Sequence, residues 1–305
     1  MVDTGIPQGS VTGPPLYIVY VNDLPKAIKK SIIVNNVVVK PIGYIDDLAV
    51  MLACKTSIFV DQALFSTNGM LEDWCAANFL CLNQDKTKKL EFKLSSDNDE
   101  NVKFLGIIMQ QNLKWDCHIE HVGKKIVKGI FLIRKLRFEV SLEVLCAVYY
   151  AHIQSHLMYG IIIWGRDSNV KKLLLLQKRA IRAMMNVDSR THCKPLFKRL
   201  GVLTVPSIFV MQCLLFIKSN LKTIPQNNSV HNHFTRFNNH LKLNQCKFSS
   251  TINSFLEFGK RLYNTLPQQV KNLELVAFKN HIKSMLLELS IYSVDEFIES
   301  VKSSV

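Results

Sequence analysis

Two adjacent aspartates set between apolar runs, in Tyr44-Ile45-Asp46-Asp47, constrain this chain more than any other feature. Ile42–Ile45 and Leu48–Ala53 read as two short strands with the acidic pair between them. Carboxylates about 4 Å apart repel by roughly 4 kcal/mol at an effective dielectric near 20. Between strands expected to be buried, that repulsion needs an answer. A polar hairpin turn is one answer, since aspartate is common in turns. A divalent cation is the other, because Mg2+ takes carboxylate and substrate phosphate oxygens. Taken alone, the pair favours the turn.

The sequence around the pair predicts an α+β fold. Leu16–Leu24 is an apolar helix broken by Asn22-Asp23 and Pro25. Ile32–Val34 and Val37–Val39 flank Asn35-Asn36 as a short hairpin. A long amphipathic helix runs from Ile58 to about Leu80, and strands are predicted over Lys88–Leu94 and Val102–Met109 with the turn Ser95–Asn101 between them. Beyond these, Ile119, Val122, Ile126, Ile130, Ile133 and Leu136 recur at helical spacing. Further helices are expected over 141–163, 168–186, 203–219 and 275–290, and Thr223–Cys246 reads as a loop. The predicted organisation is an antiparallel sheet with helices over 1–110, then an all-α region over 111–305.

Charge separates the same two parts. The formal net charge is +14, yet residues 1–110 hold 10 Lys+Arg and 12 Asp+Glu, whereas residues 111–305 hold 28 and 12. Residues 166–199 alone carry 10 Lys+Arg against Asp167 and Asp188. A basic second part suits a polyanion, either nucleic acid or an acidic membrane surface. Counterion release from neutralised phosphates favours nucleic acid. The longest apolar run, Ile208–Ile217, is interrupted by Gln212 and falls short of the roughly 20 residues a bilayer requires, so a buried helix and no membrane are expected. Eight cysteines form no CxxC pair and no secretory signal opens the chain, which points to a reducing intracellular setting, nucleus or cytoplasm. Cys117, His118 and His121 lack a fourth zinc ligand; His152 and His156 are ordinary core or surface histidines; Trp74, Trp115 and Trp164 are core residues.

The order of short blocks carries more than any one of them. Gly5-Ile6-Pro7-Gln8-Gly9-Ser10, extended through Val11-Thr12-Gly13-Pro14 to Asn22-Asp23-Leu24-Pro25, precedes Tyr44-Ile45-Asp46-Asp47. Leu82-Asn83-Gln84-Asp85-Lys86-Thr87 and Lys103-Phe104-Leu105-Gly106 follow. The series resembles the palm motifs of reverse transcriptases of the non-LTR (LINE, jockey-type) retrotransposon kind. Leu113–Ile119, Tyr159–Gly165, Gln177–Arg182 and Leu262–Pro267 with Phe278-Lys279 resemble later blocks of that family, so the likeness covers about the whole chain.

The resemblance implies a partial polymerase palm over 1–110, then a helical, basic thumb and downstream region over 111–305. It implies RNA-directed DNA synthesis with an RNA template, a DNA primer, deoxynucleoside triphosphates and two Mg2+ ions in the intact parent enzyme. Asp46 and Asp47 would ligate metal. Gln8, Gly9 and Tyr44 would lie near nucleotide and template, and Lys86 near the phosphates, where it would protonate the leaving pyrophosphate. Phe104, Leu105 and Gly106 would form the primer grip; a plain strand with a glycine bulge fits them equally. Lys124, Lys125, Lys128, Lys178, Arg179 and Arg182 would meet the nucleic-acid backbone. Two departures stand out. Ile45 occupies a position that is usually alanine in the family, and a further metal-binding aspartate belongs upstream of Gly5. The expectation is therefore an inactive part of the parent enzyme, or a non-catalytic nucleic-acid-binding protein derived from it.

Overall fold

The computed structural model describes residues 9–31, 37–92, 100–227, 240–245, 247, 249–252 and 254–303. Two compact units divide the chain, Met1–Lys89 and Leu90–Val305.

The first unit holds α1 (Gly13–Tyr20), α2 (Leu24–Ser31), β1 (Val38–Tyr44), β2 (Asp47–Ala53) and α3 (Ser57–Ala77). Pro14 sits in the first turn of α1, where its missing N–H leaves no bond unmade. Pro25 does the same for α2, so the Asn22-Asp23 break restarts a helix instead of ending the helical stretch. The β1–β2 register runs from Val38↔Ala53 to Tyr44↔Asp47. Alternation sends Val39, Leu48 and Val50 towards a core of Leu24, Ile28, Leu71 and Trp74. The other face, with Val38, Ile42, Tyr44 and Met51, is exposed. The indole N–H of Trp74 donates to Asp23 Oδ2 at 3.4 Å, tying α3 to the turn before α2. The expected hairpin around Asn35-Asn36 lies partly outside the described residues, but Val38 and Val39 belong to β1.

The second unit opens with β3 (Asn101–Phe104) and β4 (Ile107–Gln110), then α4 (Asp116–Leu136), α5 (Leu142–Tyr149), a π-helical turn (Tyr150–Gln154), α6 (Ser155–Met158) and α7 (Ile161–Trp164). Next come α8 (Val170–Met184), α9 (Lys194–Leu200), α10 (Val205–Ser219), α11 (Ser249–Ile252), α12 (Phe255–Thr265), α13 (Gln268–Lys271), α14 (Leu275–Leu289) and α15 (Val294–Ser303). The apolar run around Ile208–Ile217 is the centre of this core as α10, packed by α7, α8, α12 and α14. Thr204 caps α10: its hydroxyl oxygen accepts from Ser207 N at 3.2 Å and its proton goes to the Ile291 carbonyl at 2.6 Å. No single helix among the described residues is long and apolar enough to cross a membrane.

Three sequence expectations need correction. Lys88–Phe92 is not a strand. Val102–Met109 is not one strand but the two arms of a hairpin, because Leu105 and Gly106 turn the chain with φ of 46° and 81°. That hairpin lies within the second compact unit, Leu90–Val305. The helix expected over 141–163 is also broken, by the π-helical turn and by Gly160. α4 crosses the π turn at Gly129, where a Cβ would lie 2.8 Å from Ile153 Cγ1 and 3.0 Å from the His152 carbonyl oxygen.

Candidate functional site

The acidic pair sits at the tip of the β1–β2 hairpin, one residue out of the expected register. Ile45 and Asp46 form the two-residue turn, and Asp47 is the first residue of β2, opposite Tyr44. Tyr44 and Asp47 therefore share the outer face of the ribbon while Asp46 projects from the turn. All four residues are exposed, so water screens the mutual repulsion and the buried setting expected for the pair is absent. The turn needs a left-handed residue and Ile45 supplies it at φ 53°, strained for a β-branched side chain. Tyr17 of α1 is the electrostatic neighbour: burial, then the Asp46 charge, raises its phenol above the ordinary value. Helix α1 thus brings the block after Gly9 up to the acidic tip.

The other predicted residues of the first unit are placed separately. Gln8 lies outside the described residues, and Gly9 has φ 84°. Lys86 is exposed on a turn closed by Asn83, whose side-chain oxygen accepts from Lys86 N at 3.1 Å and whose carbonyl accepts from Thr87 Oγ1 at 2.8 Å. Gln84 Nε2 donates to Glu72 Oε1 at 2.9 Å, anchoring this turn on α3.

Phe104, Leu105 and Gly106 form the tip of β3–β4, held by residues that sequence reasoning did not connect with them. The Tyr159 hydroxyl donates to the Leu105 carbonyl. A Cβ on Gly106 would meet the Tyr159 ring at 3.5 Å. Gly160, at φ 62°, lets the chain pass Ile107 so closely that a Cβ there would stand 2.7 Å from Ile107 Cδ1. Trp164 Nε1 closes the arrangement by donating to the Tyr159 carbonyl at 3.1 Å. From α4, His118 Nδ1 accepts from Ile108 N at 3.3 Å. An accepting Nδ1 puts the proton of neutral His118 on Nε2, which is buried without a protein hydrogen-bond partner and lies beside the Trp164 ring, centroids 5.6 Å apart. Burial above all, then the charges of His121 and Lys125, lowers the His118 pKa to about 4. The blocks Lys103–Gly106 and Tyr159–Gly165, more than fifty residues apart, are one structural feature.

The basic residues divide by engagement. Lys125, Lys128 and Arg179 are exposed. Lys124 pairs with Glu120 at 2.9 Å across the surface of α4. Lys178 lies over the Tyr292 ring, 3.4 Å from its centroid, and Arg182 Nε donates to the Thr191 carbonyl at 2.9 Å. Those last two brace α8 against neighbouring chain. Gln177, in the same block, is fully buried: its Nε2 donates to Tyr149 Oη at 2.7 Å and the Leu203 carbonyl at 2.9 Å, and its Oε1 accepts from Val205 N at 3.0 Å. Among the described residues no group of three or more His, Cys, Asp or Glu side chains is placed to hold a metal ion, so Cys117, His118 and His121 do not form a zinc site.

Residues 1–109 match the family Reverse transcriptase (RNA-dependent DNA polymerase). The chain is 26% identical to the Probable RNA-directed DNA polymerase from transposon BS of Drosophila melanogaster, over 66% of this chain and 24% of that protein. It is 24% identical to the RNA-directed DNA polymerase from mobile element jockey of the same fly, over 59% of this chain and 22% of that protein. To the Probable RNA-directed DNA polymerase from transposon X-element it is 22% identical, over 67% and 24%. The chain thus spans about a quarter of the length of these curated relatives. No solved structure matches it. With the acidic hairpin and the ordered blocks, these matches make the first third of the chain similar to reverse transcriptases, and these relatives are RNA-directed DNA polymerases of mobile elements.

Proposed function

We propose that this chain is a part of an RNA-directed DNA polymerase, with the acidic hairpin contributing to its palm and the basic helices forming its thumb and downstream region. The observation that carries the reading is the pair of adjacent carboxylates on an exposed, tightly turned antiparallel hairpin. Two oxygen-donor side chains open to solvent fit Mg2+, which keeps water and substrate phosphates as its remaining ligands. Asp46 and Asp47 would hold that ion, whose chemistry when bound is to offset the charge of a transferring phosphoryl group. Tyr44, beside Asp47 on the outer face, would support the sugar or base of the incoming deoxynucleotide. Gln8 and Gly9 would border nucleotide and template. Lys86 would offer a positive charge and a proton near the leaving pyrophosphate. The Phe104-Leu105-Gly106 turn would support the primer strand, and Lys125, Lys128 and Arg179 the backbone of the template–primer duplex.

The 305 residues by themselves are proposed not to polymerise, since the resemblance calls for one more metal-binding aspartate. The second reading, a nucleic-acid-binding protein without catalysis, is favoured by the exposed cations of α4 and α8. Titrating Mn2+ into the chain with template–primer and dTTP, followed by electron paramagnetic resonance, tests the first reading. Bound Mn2+ that disappears in Asp46→Asn/Asp47→Asn is expected. Equal Mn2+ binding by wild type and variant would overturn it. Primer extension on poly(rA)·oligo(dT) that vanishes in Asp46→Asn would overturn the claim of inactivity while keeping the polymerase reading.

A further inference from the structure

We propose that the outward stripe of α4 is a stacking platform for unpaired bases of a single-stranded nucleic acid. The proposal rests on the nucleic-acid-binding part of the reading above and on no catalytic claim. Lys124, Lys128, Phe131, Lys135 and Phe138 follow one another at intervals of four, three, four and three residues, which places them along one side of the helix and its C-terminal turn. The stripe is about 21 Å long at about 1.5 Å per residue, the length of about six nucleotides of a stacked strand. Phe131 is 63% and Phe138 69% exposed. The inner side of the helix is committed to the core through Ile119, Ile126 and Ile133, so the exposed rings are not there to pack this unit.

Each exposed ring is bracketed by a cation. Lys135 Nζ lies 5.7 Å from the centroid of Phe131, and the Arg137 guanidinium carbon lies 4.5 Å from that of Phe138. Between Lys124 and Phe138 the sequence has no Asp or Glu, and Glu120 just before it is paired with Lys124. Phe131 and Phe138, interleaved with Lys128, Lys135 and Arg137 and joined by the half-exposed Val127, match a strand that presents both bases and phosphates. A protein partner would instead favour a continuous apolar patch with few charges at its centre. A paired duplex keeps its bases stacked inside and would leave the two rings without a partner. An acidic membrane favours a broad apolar face opposite a polar one, and here the broad apolar face is buried.

The test uses the full chain and fluorescence anisotropy with labelled oligo(dT) and a mixed-sequence duplex of the same length, across a salt series. Phe131→Ala and Phe138→Ala are each expected to weaken oligo(dT) binding about tenfold. Neither should alter the salt slope or the duplex affinity. Lys128→Gln/Lys135→Gln should lower the single-strand salt slope by about 1.4. Unchanged oligo(dT) affinity in both Phe variants would overturn the proposal, as would an equal loss on single strand and duplex. Transfer of the wild-type chain, but not the Phe variants, to phosphatidylserine vesicles without oligo(dT) binding would overturn it too. Salt-dependent binding indifferent to the Phe changes would sink the platform while leaving the proposed function standing. No binding to either nucleic acid would sink both. Because the two rings are exposed, melting temperatures should match wild type, which separates lost contact from lost folding.

Discussion

Protonation of His118 should unfasten the β3–β4 hairpin from α4. The side chain is 2% exposed and its Nδ1 accepts the Ile108 N–H, a role that only the neutral ring can fill. In the unfolded chain the imidazole takes a proton near 6.5, in the folded chain only near 4. The unfolded state therefore binds the extra proton between those values, and stability present above pH 6.5 is lost as pH falls towards 4. That separation corresponds to about 3 kcal/mol at about 1.4 kcal/mol per tenfold change, with about 2.5 kcal/mol of it gone by pH 4.5. Urea unfolding of wild type and His118→Asn at steps from pH 7.5 to 4.5 measures the effect. Asparagine can still accept from Ile108 N but does not titrate, and the carboxylates common to both proteins cancel in the difference. Wild type should lose about 2.5 kcal/mol more than the variant over this range. Parallel pH curves would refute the reasoning, because they would mean that neither burial nor the accepted hydrogen bond keeps the ring neutral.

Three further outcomes follow from the geometry. Gly160→Ala should destabilise the chain by about 1–3 kcal/mol through left-handed backbone and the contact with Ile107, and Tyr159→Phe by about 1 kcal/mol with faster amide exchange at 105–107; unchanged unfolding midpoints would dispose of the clamp. Ile45→Asn should slow amide exchange across β1–β2 by relieving about 1–2 kcal/mol of left-handed strain, and faster exchange would count against that strain. Gln177→Leu should cost about 2–4 kcal/mol by leaving the Val205 N–H, the Leu203 carbonyl and Tyr149 Oη without their shared partner, read as a shift of the urea midpoint with its slope kept.

The acidic hairpin was legible in the sequence because alternation and turn chemistry are local. Its register slipped by one residue because nothing in the chain announces that a β-branched Ile45 accepts a left-handed turn. α3 and α4 are legible through a 3.6-residue period, and α10 through its long apolar run. The attachment of 101–110 to the helical unit was hidden, since Tyr159, Gly160 and His118 meet it from far along the chain and His118 reads locally as one more polar residue of α4. The charge count located a basic region but could not tell Lys178, resting on Tyr292, from Arg179, which faces water. A cue for the platform lay in plain sight, however: Phe131 and Phe138 fall outside the apolar period set by Ile119, Val122, Ile126, Ile130 and Ile133.

The π-helical turn at Tyr150–Gln154 amounts to a single-residue insertion in an otherwise regular rod. Everything after it is rotated by about 100° and advanced by about 1.5 Å relative to an uninterrupted helix. That offset delivers Tyr159 and Gly160 to the hairpin tip, while the widened coil brings the His152 carbonyl against Gly129. Excising one amino acid from Tyr150–Gln154 would regularise the rod and yet turn the Tyr159 hydroxyl away from Leu105. Local helical regularity and long-range attachment are thus in direct competition at this place, and the chain has settled it in favour of the attachment.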